Sequence, residues 1–229
     1  MRLHRFYTNE HLAGQDEITL RDTDALHQLR DVFRLAKGDR VIFFNGDGSD
    51  YIYEAQIISK KEAEFSYVEK IGNITLSKKV TLFMSLIKKD NFETVLEKAT
   101  ELGVTHFVPV ETERTLSKNL NMERAERIIK EASEQCGRGD VPTIGETMDL
   151  KDVLEENPDV IIFDMNGEDM KNYKPGAEES KLLIGPEGGW SDKELQMFKE
   201  LKVQTFKLGD TVLRAETAAI VASAKIILN

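Results

Sequence analysis

A chain of 229 residues, 40% hydrophobic and 31% charged, is long enough to bury the cores of two domains and is far from a disordered or collagen-like composition. The formal net charge of -10 excludes a globally basic surface, so a nucleic-acid partner would have to be held by a local patch. Cys136 is the only cysteine, which excludes an internal disulfide and a thiolate zinc cluster. Histidines 4, 11, 27 and 106 show no ligand spacing, so no metal is expected.

The opening Met1-Arg2-Leu3-His4-Arg5-Phe6 has no apolar run followed by small residues. Later apolar runs, such as Val160 to Phe163, are a few residues long, against the roughly 20 that a membrane helix needs. A cytoplasmic protein without membrane contact is expected. Up to about Gly72 the pattern is strand-like, apart from a helical turn near Asp22 to Phe33. Val41 to Phe44, the turn Asn45-Gly46-Asp47-Gly48, and Tyr51 to Ile58 read as a hairpin, because Gly and Asn accept the positive φ of tight turns. A third strand follows at Glu64 to Val68, and short strands with turns between them suggest a small β-barrel. Residues 1 to 73 carry ten Lys or Arg against thirteen Asp or Glu, and the remainder 21 against 28, so neither part is basic as a whole.

From Val80 strands and helices alternate. The first strand, Val80 to Leu86, leads to a helix over Asn91 to Leu102, where Phe92, Val95, Leu96, Ala99 and Leu102 form one apolar stripe and Gly103 can end it. Further strands are predicted at His106 to Val110, Val160 to Phe163, Lys181 to Ile184 and Thr205 to Leu208. Helices are predicted at about Met122 to Gln135, Asp192 to Leu201 and Glu216 to Leu228. This rhythm predicts an α/β domain with a mostly parallel sheet. The change of pattern falls near Ile71 to Lys78, which divides the chain into 1–72 and 73–229.

Two loops in the second domain stand out. Gly185-Pro186-Glu187-Gly188-Gly189-Trp190 joins the strand ending at Ile184 to a helix opened by the capping box Ser191 to Glu194. Ligands of open α/β sheets bind at such strand ends, and the glycines let bare backbone approach them. The lysine and hydroxyl of a phosphate-binding P-loop are missing. Taken alone, the loop is equally an ordinary glycine-rich turn. Leu208-Gly209-Asp210-Thr211-Val212-Leu213-Arg214-Ala215-Glu216-Thr217 is the second loop, also strand to helix, with Arg214 and Glu216 among small and apolar residues. Either that pair serves function, or it is a salt bridge that ties down a tightly packed helix.

The two loops, in this order, resemble the SPOUT superfamily of S-adenosylmethionine-dependent RNA methyltransferases, and within it the 16S ribosomal RNA (uracil-N3) methyltransferase family, which acts on uridine 1498 of the small-subunit RNA. The resemblance also runs through His27 to Arg34 with Lys37-Gly38-Asp39, Glu97 to Val104, and Glu131 to Arg138. A departure is Asp210-Thr211, where the family tends to carry proline or another residue followed by arginine. What the resemblance implies is a small PUA-like β-barrel for RNA, then a SPOUT-type domain with a C-terminal trefoil knot, working as a homodimer on 16S rRNA in the small ribosomal subunit. It also implies S-adenosylmethionine as cofactor, held by Ile184, Gly185, Pro186, Glu187, Gly188, Gly189, Leu208, Gly209, Val212, Leu213 and Thr217. The other classes open at this point are a ribose 2'-O or other RNA methyltransferase of the superfamily, and a non-catalytic RNA-binding assembly factor.

His27, Arg30 and Arg34 stand at i, i+3 and i+7 of the predicted helical turn, a face able to grip phosphates, although a solvated charged face has the same spacing. Arg2, His4 and Arg5 would extend that patch, and Lys88, Arg114 and Arg138 are further RNA-contact candidates. Methylating N3 of uridine requires loss of its proton, and charge then spreads onto the flanking carbonyl oxygens. A fixed cation stabilises that charge, which points to Arg214. Glu216 and Glu187 are the candidate bases, with Glu187 the better placed for a structural role in binding loop amides.

Overall fold

The computed structural model describes residues 3–74, 76, 78–115, 119–173 and 179–228, and of Asn172 only its backbone. Arg2 lies outside the described residues. The chain forms two compact units, Met1–Thr75 with Ser133–Val141, and Leu76–Ala132 with Pro142–Asn229.

In the first unit β1 (His4–Tyr7), β2 (Glu17–Leu20), β3 (Arg40–Phe44), β4 (Ser49–Ile58) and β5 (Ala63–Gly72) form a sheet in the order β1-β3-β4-β5-β2. The β1 and β3 pair is parallel and the others are antiparallel. Alternation in β3 and β4 sends Val41, Phe43, Tyr51, Tyr53 and Ala55 into one core with Phe6, Ile18 and Phe65. Leu26 and Leu29 complete it from a short helix, α1 (Thr23–His27), which Asp22 caps through the Ala25 amide and which widens into a π-helical turn over Gln28–Val32.

A buried ion pair organises the edge of this unit. Arg5 is bidentate to Asp50, with Nη2 2.6 Å from Oδ1 and Nε 3.2 Å from Oδ2. The two side chains are only 6% and 9% exposed, so this pair is screened by protein rather than by water. Arg5 also donates to the carbonyls of Ser133 and Arg138, both at 3.1 Å, and lies over the Phe44 ring. These bonds explain why Ser133–Val141 groups with the first unit although it follows 60 residues after the boundary read from sequence.

In the second unit the elements run β6 (Lys79–Ser85), α2 (Lys89–Leu102), β7 (His106–Glu111), α3 (Met122–Cys136), β8 (Thr143–Ile144), β9 (Met148–Asp149), α4 (Leu150–Glu156), β10 (Ile161–Asp169), β11 (Glu179–Ile184), α5 (Asp192–Glu200), β12 (Thr205–Lys207) and α6 (Ala215–Ile227). The strands form a parallel sheet in the order β12-β10-β11-β6-β7-β8, with β9 also on β7. The α2 stripe Phe92, Val95, Leu96 and Ala99 is buried, and Gly103 ends the helix at φ 115°, as its left-handed cap requires. The final helix α6 packs on α2, β6 and β11, and its buried residues are small apart from Ile226.

The strand order creates a crevice. After β6 the chain moves to β7 on one side, and after β11 it moves to β12 on the other, so the connections part between two adjacent strands. Ligands of open sheets bind outside the carboxyl ends at such a point. Strand β10 is longer than its apolar core predicts, because a bulge lets Phe206 pair with both Phe163 and Glu168. Gly167 permits it: a Cβ there would stand 2.6 Å from the Phe206 carbonyl carbon.

Among the described residues no helix is long and apolar enough to cross a membrane, and no group of three or more His, Cys, Asp or Glu is placed to hold a metal ion.

Candidate cofactor and active site

At the carboxyl ends of β6, β10, β11 and β12 lies a cavity of about 760 Å³, within the size range of small-molecule and cofactor sites. Ile184 through Trp190 form one wall, and Leu208, Gly209 and Thr211 to Glu216 form the other. The two glycine loops are therefore brought together as the sequence reading expected. Phe163, Asp164, Met165 and Asn91 also line the cavity, which the sequence does not signal: β10 runs on past its apolar stretch, and Asn91 comes from the first turn of α2.

The first loop is held at several points. A Cβ on Gly185 would meet the Trp190 ring at 2.9 Å, so the bare backbone is needed for the indole to fold beneath it. Trp190 is buried and donates Nε1 to the Phe163 carbonyl at 3.1 Å. Gly189 sits at φ 65° and closes a turn through its amide to the Pro186 carbonyl at 2.9 Å. Glu187 accepts the Lys88 amide at 2.9 Å, the amide-binding role expected for it. Ser191 and Glu194 complete a reciprocal capping box at the start of α5. Glu113 accepts the Ser191 hydroxyl at 2.8 Å, and that hydrogen bond, aided by Lys193, holds its carboxyl below the usual carboxylate range.

The second loop is tied at its start, where Lys225 donates to the Leu208 carbonyl at 3.3 Å. Lys207 pairs with Asp210 at 2.8 Å, which raises the lysine and lowers the carboxyl. Arg214 is the cap residue of α6 and is exposed. Among the described residues its guanidinium has no hydrogen bond or ion pair, so the Arg214–Glu216 salt bridge left open by the sequence does not form. Glu216 Oε2 is buried with no hydrogen-bond partner among the described residues. A carboxylate in the first turn is favoured by the helix dipole, yet a buried oxygen without a donor is unfavourable by about 1–3 kcal/mol or more. A ligand donor in the cavity would offset that cost.

These residues fit S-adenosylmethionine. The walls offer apolar surface from Ile184, Pro186, Leu208 and Leu213 and free backbone at Gly209, where an added Cβ would meet nothing within 4 Å. The unpartnered Glu216 oxygen is an acceptor for a cationic or N–H-bearing ligand.

A sequence profile of the RNA methyltransferase domain family matches residues 75–227. Ribosomal RNA small subunit methyltransferase E of Synechocystis is 34% identical over 217 residues, covering 89% of this chain and 71% of that protein. The chain belongs to this methyltransferase family. The Rickettsia conorii member is 29% identical over 99% of this chain and 96% of its own length. A methyltransferase structure from Legionella pneumophila, in complex with bound SAM, superimposes with a TM-score of 0.91 at 27% identity, covering 99% of this chain and 97% of that one. The Neisseria gonorrhoeae family member bound to S-adenosyl methionine gives 0.90 at 27% identity, over 98% and 96%. The fold is accordingly the α/β SPOUT-type methyltransferase fold, with an N-terminal β-sheet domain and, later in the sequence, a knotted C-terminal region.

Several expected site residues of this family member stand elsewhere. Thr217 is exposed and is not among the residues lining the cavity. Arg5 and Arg138 are not RNA-facing: both side chains are 6% exposed, one on Asp50 and the other on Asp140 at 2.7 Å. His27, Arg30 and Arg34 do not share a helical face. The π-helical turn breaks the 3.6-residue spacing, and Arg34 lies past the helix at φ 54°. His27 and Arg30 instead converge on Asp31, at 2.7 and 2.5 Å, and Arg30 is the main cause of an Asp31 carboxyl held well below its usual range. His4 is exposed and its ring packs on Phe33 at 4.4 Å. Lys88 lines the cavity, and Arg114 donates Nη1 to the Gly188 carbonyl at 2.7 Å.

Proposed function

We propose that this chain methylates N3 of a uridine in 16S rRNA, the one at position 1498, using S-adenosylmethionine. The observation that carries this reading is the pair Arg214 and Glu216, neither with a hydrogen-bond or ion-pair partner among the described residues, on the wall of a cavity built from the two glycine loops. When bound, S-adenosylmethionine supplies an electrophilic methyl group. Ile184 to Gly189, Leu208, Gly209, Val212 and Leu213 would hold it, through apolar walls and loop backbone.

The chain's own task is to position, to stabilise charge and to move a proton. Fixing donor and nucleophile in near-attack geometry contributes on the order of 7 kcal/mol in favourable cases. Arg214, whose backbone caps α6 and whose side chain lines the cavity, would bring a permanent cation to the uracil oxygens as they gain charge when N3 loses its proton. Glu216 accepts that proton at its carboxylate. The base must be unpaired or extruded to reach the cavity.

The first unit is the RNA-binding part in this reading, with His4 and Arg34 among its exposed candidates and Lys88 at the cavity itself. The protein acts in the cytoplasm as a homodimer, without a metal. Labelled S-adenosylmethionine incubated with small subunits from cells lacking the modification should give N3-methyluridine at position 1498. A ribose-methylated nucleoside would replace this reading by the 2'-O one. No methyl transfer at all would leave an assembly factor.

A further inference from the structure

The stretch Gly185 to Ser191 is gripped from outside by two consecutive residues of one turn. Glu113 and Arg114 stand two and three residues past the end of β7. Glu113 fixes the far end of the loop: its carboxylate accepts the Ser191 hydroxyl at 2.8 Å, and its amide donates to Glu194 at 2.9 Å. Arg114 fixes the middle, donating Nη1 to the Gly188 carbonyl at 2.7 Å. Its aliphatic stem covers the same residue, because a Cβ on Gly188 would meet Arg114 Cδ at 3.3 Å and Cβ at 3.4 Å. The near end is held by the Lys88 amide on Glu187.

Between those anchors lie two adjacent glycines, the least restrained backbone the chain can offer. Ordering them on ligand binding would oppose binding through lost conformational freedom. Among the described residues Arg114 is the only side chain that hydrogen-bonds the backbone of Gly188-Gly189, and a charge-assisted bond to a carbonyl is stronger than a neutral one.

We propose that Arg114 is a positioning residue for methyl transfer: by holding the Gly188 carbonyl it keeps the donor loop in its binding shape before the donor arrives. An RNA phosphate contact, the role its charge suggests, is not its function. This inference rests on reading the cavity as the methyl-donor site. The test compares wild type, Arg114→Ala and Arg114→Lys by calorimetric binding of S-adenosylmethionine, by KM against kcat, by affinity for small-subunit RNA, and by urea midpoint. Arg114→Ala should raise the donor Kd and KM about tenfold, leaving saturated kcat within about twofold and RNA affinity unchanged. Arg114→Lys, which keeps a donor, should recover part of the loss.

Unchanged donor affinity in Arg114→Ala, or a loss confined to RNA affinity, would overturn the proposal while leaving the cavity's assignment intact. So would a lowered urea midpoint that accounts for the loss with no rescue by lysine. Failure of the wild type to bind donor would overturn both.

Discussion

Arg214 and Glu216 stand two residues apart at the start of α6, and they do not pair. The guanidinium is exposed, while one Glu216 oxygen is buried without a donor. An ion pair would have neutralised both; in the proposed function their separation leaves a cation and a proton acceptor for the uracil. Glu216→Gln keeps the size and removes the acceptor. Its single-turnover rate should fall about 10²–10⁴-fold at neutral pH, and a wild-type rate would remove Glu216 as the base.

Gly185→Ala tests how the floor of the cavity is built. The new Cβ would start 2.9 Å from the Trp190 ring, so the indole must shift. Overpacking of this kind destabilises by about 1–3 kcal/mol. The protein has one tryptophan, so its emission reports the shift directly. The variant should show altered emission and weaker binding of S-adenosylmethionine, and unchanged values for both would mean that the indole does not form the floor.

The Arg5–Asp50 pair makes a separate prediction about stability. Arg5→Ala leaves Asp50 buried with Asn73 Nδ2, at 2.8 Å, as its one side-chain donor among the described residues. Removing one partner of a buried pair is unfavourable by about 3–5 kcal/mol. Urea denaturation should show that loss. A change below about 1 kcal/mol would mean that water replaces the guanidinium without penalty.

Acid should loosen the donor loop late. Glu113 has a lowered carboxyl pKa in the folded protein, caused first by the Ser191 hydroxyl and then by Lys193. Its contribution is therefore fully present above the ordinary value of 4.5 and is lost as pH falls through the lower folded value. Trp190 emission, one residue from Ser191, should hold down to about pH 4.5 and change below it. Glu113→Gln should remove that component, and an identical acid limb in the variant would assign it to other carboxylates.

Much of the second unit was legible in the sequence, because its signals are local. The α2 stripe, the capping box at Ser191 and the two strand-to-helix loops all lie within short windows. The short strands β8 and β9 and the helix α4 left too little periodicity to be read, and the bulge of β10 depends on Phe206, nearly 40 residues away. In the first unit β1 was missed because His-Arg-Phe-Tyr shows little apolar alternation and owes its place to parallel pairing with β3.

The site shows the same division. Spacing located both loops and the Arg214–Glu216 pair, but charge alone could not separate Arg5 and Arg138, which bind carboxylates and carbonyls of their own chain, from cations that face solvent. Helical spacing failed at His27, Arg30 and Arg34 because the turn widens to a π-helix. The sequence placed Arg114 among the phosphate contacts, and only its hydrogen bond to Gly188, 74 residues later, reveals the loop it holds.

Single-turnover methylation by Arg214→Ala, at saturating S-adenosylmethionine with the donor Kd measured in parallel, tests the central claim most directly. The account predicts a Kd within about threefold of wild type, since the loops hold the donor, and a rate lower by about 10²-fold or more, the scale of losing one charge-stabilising group. A wild-type rate with that variant would contradict it.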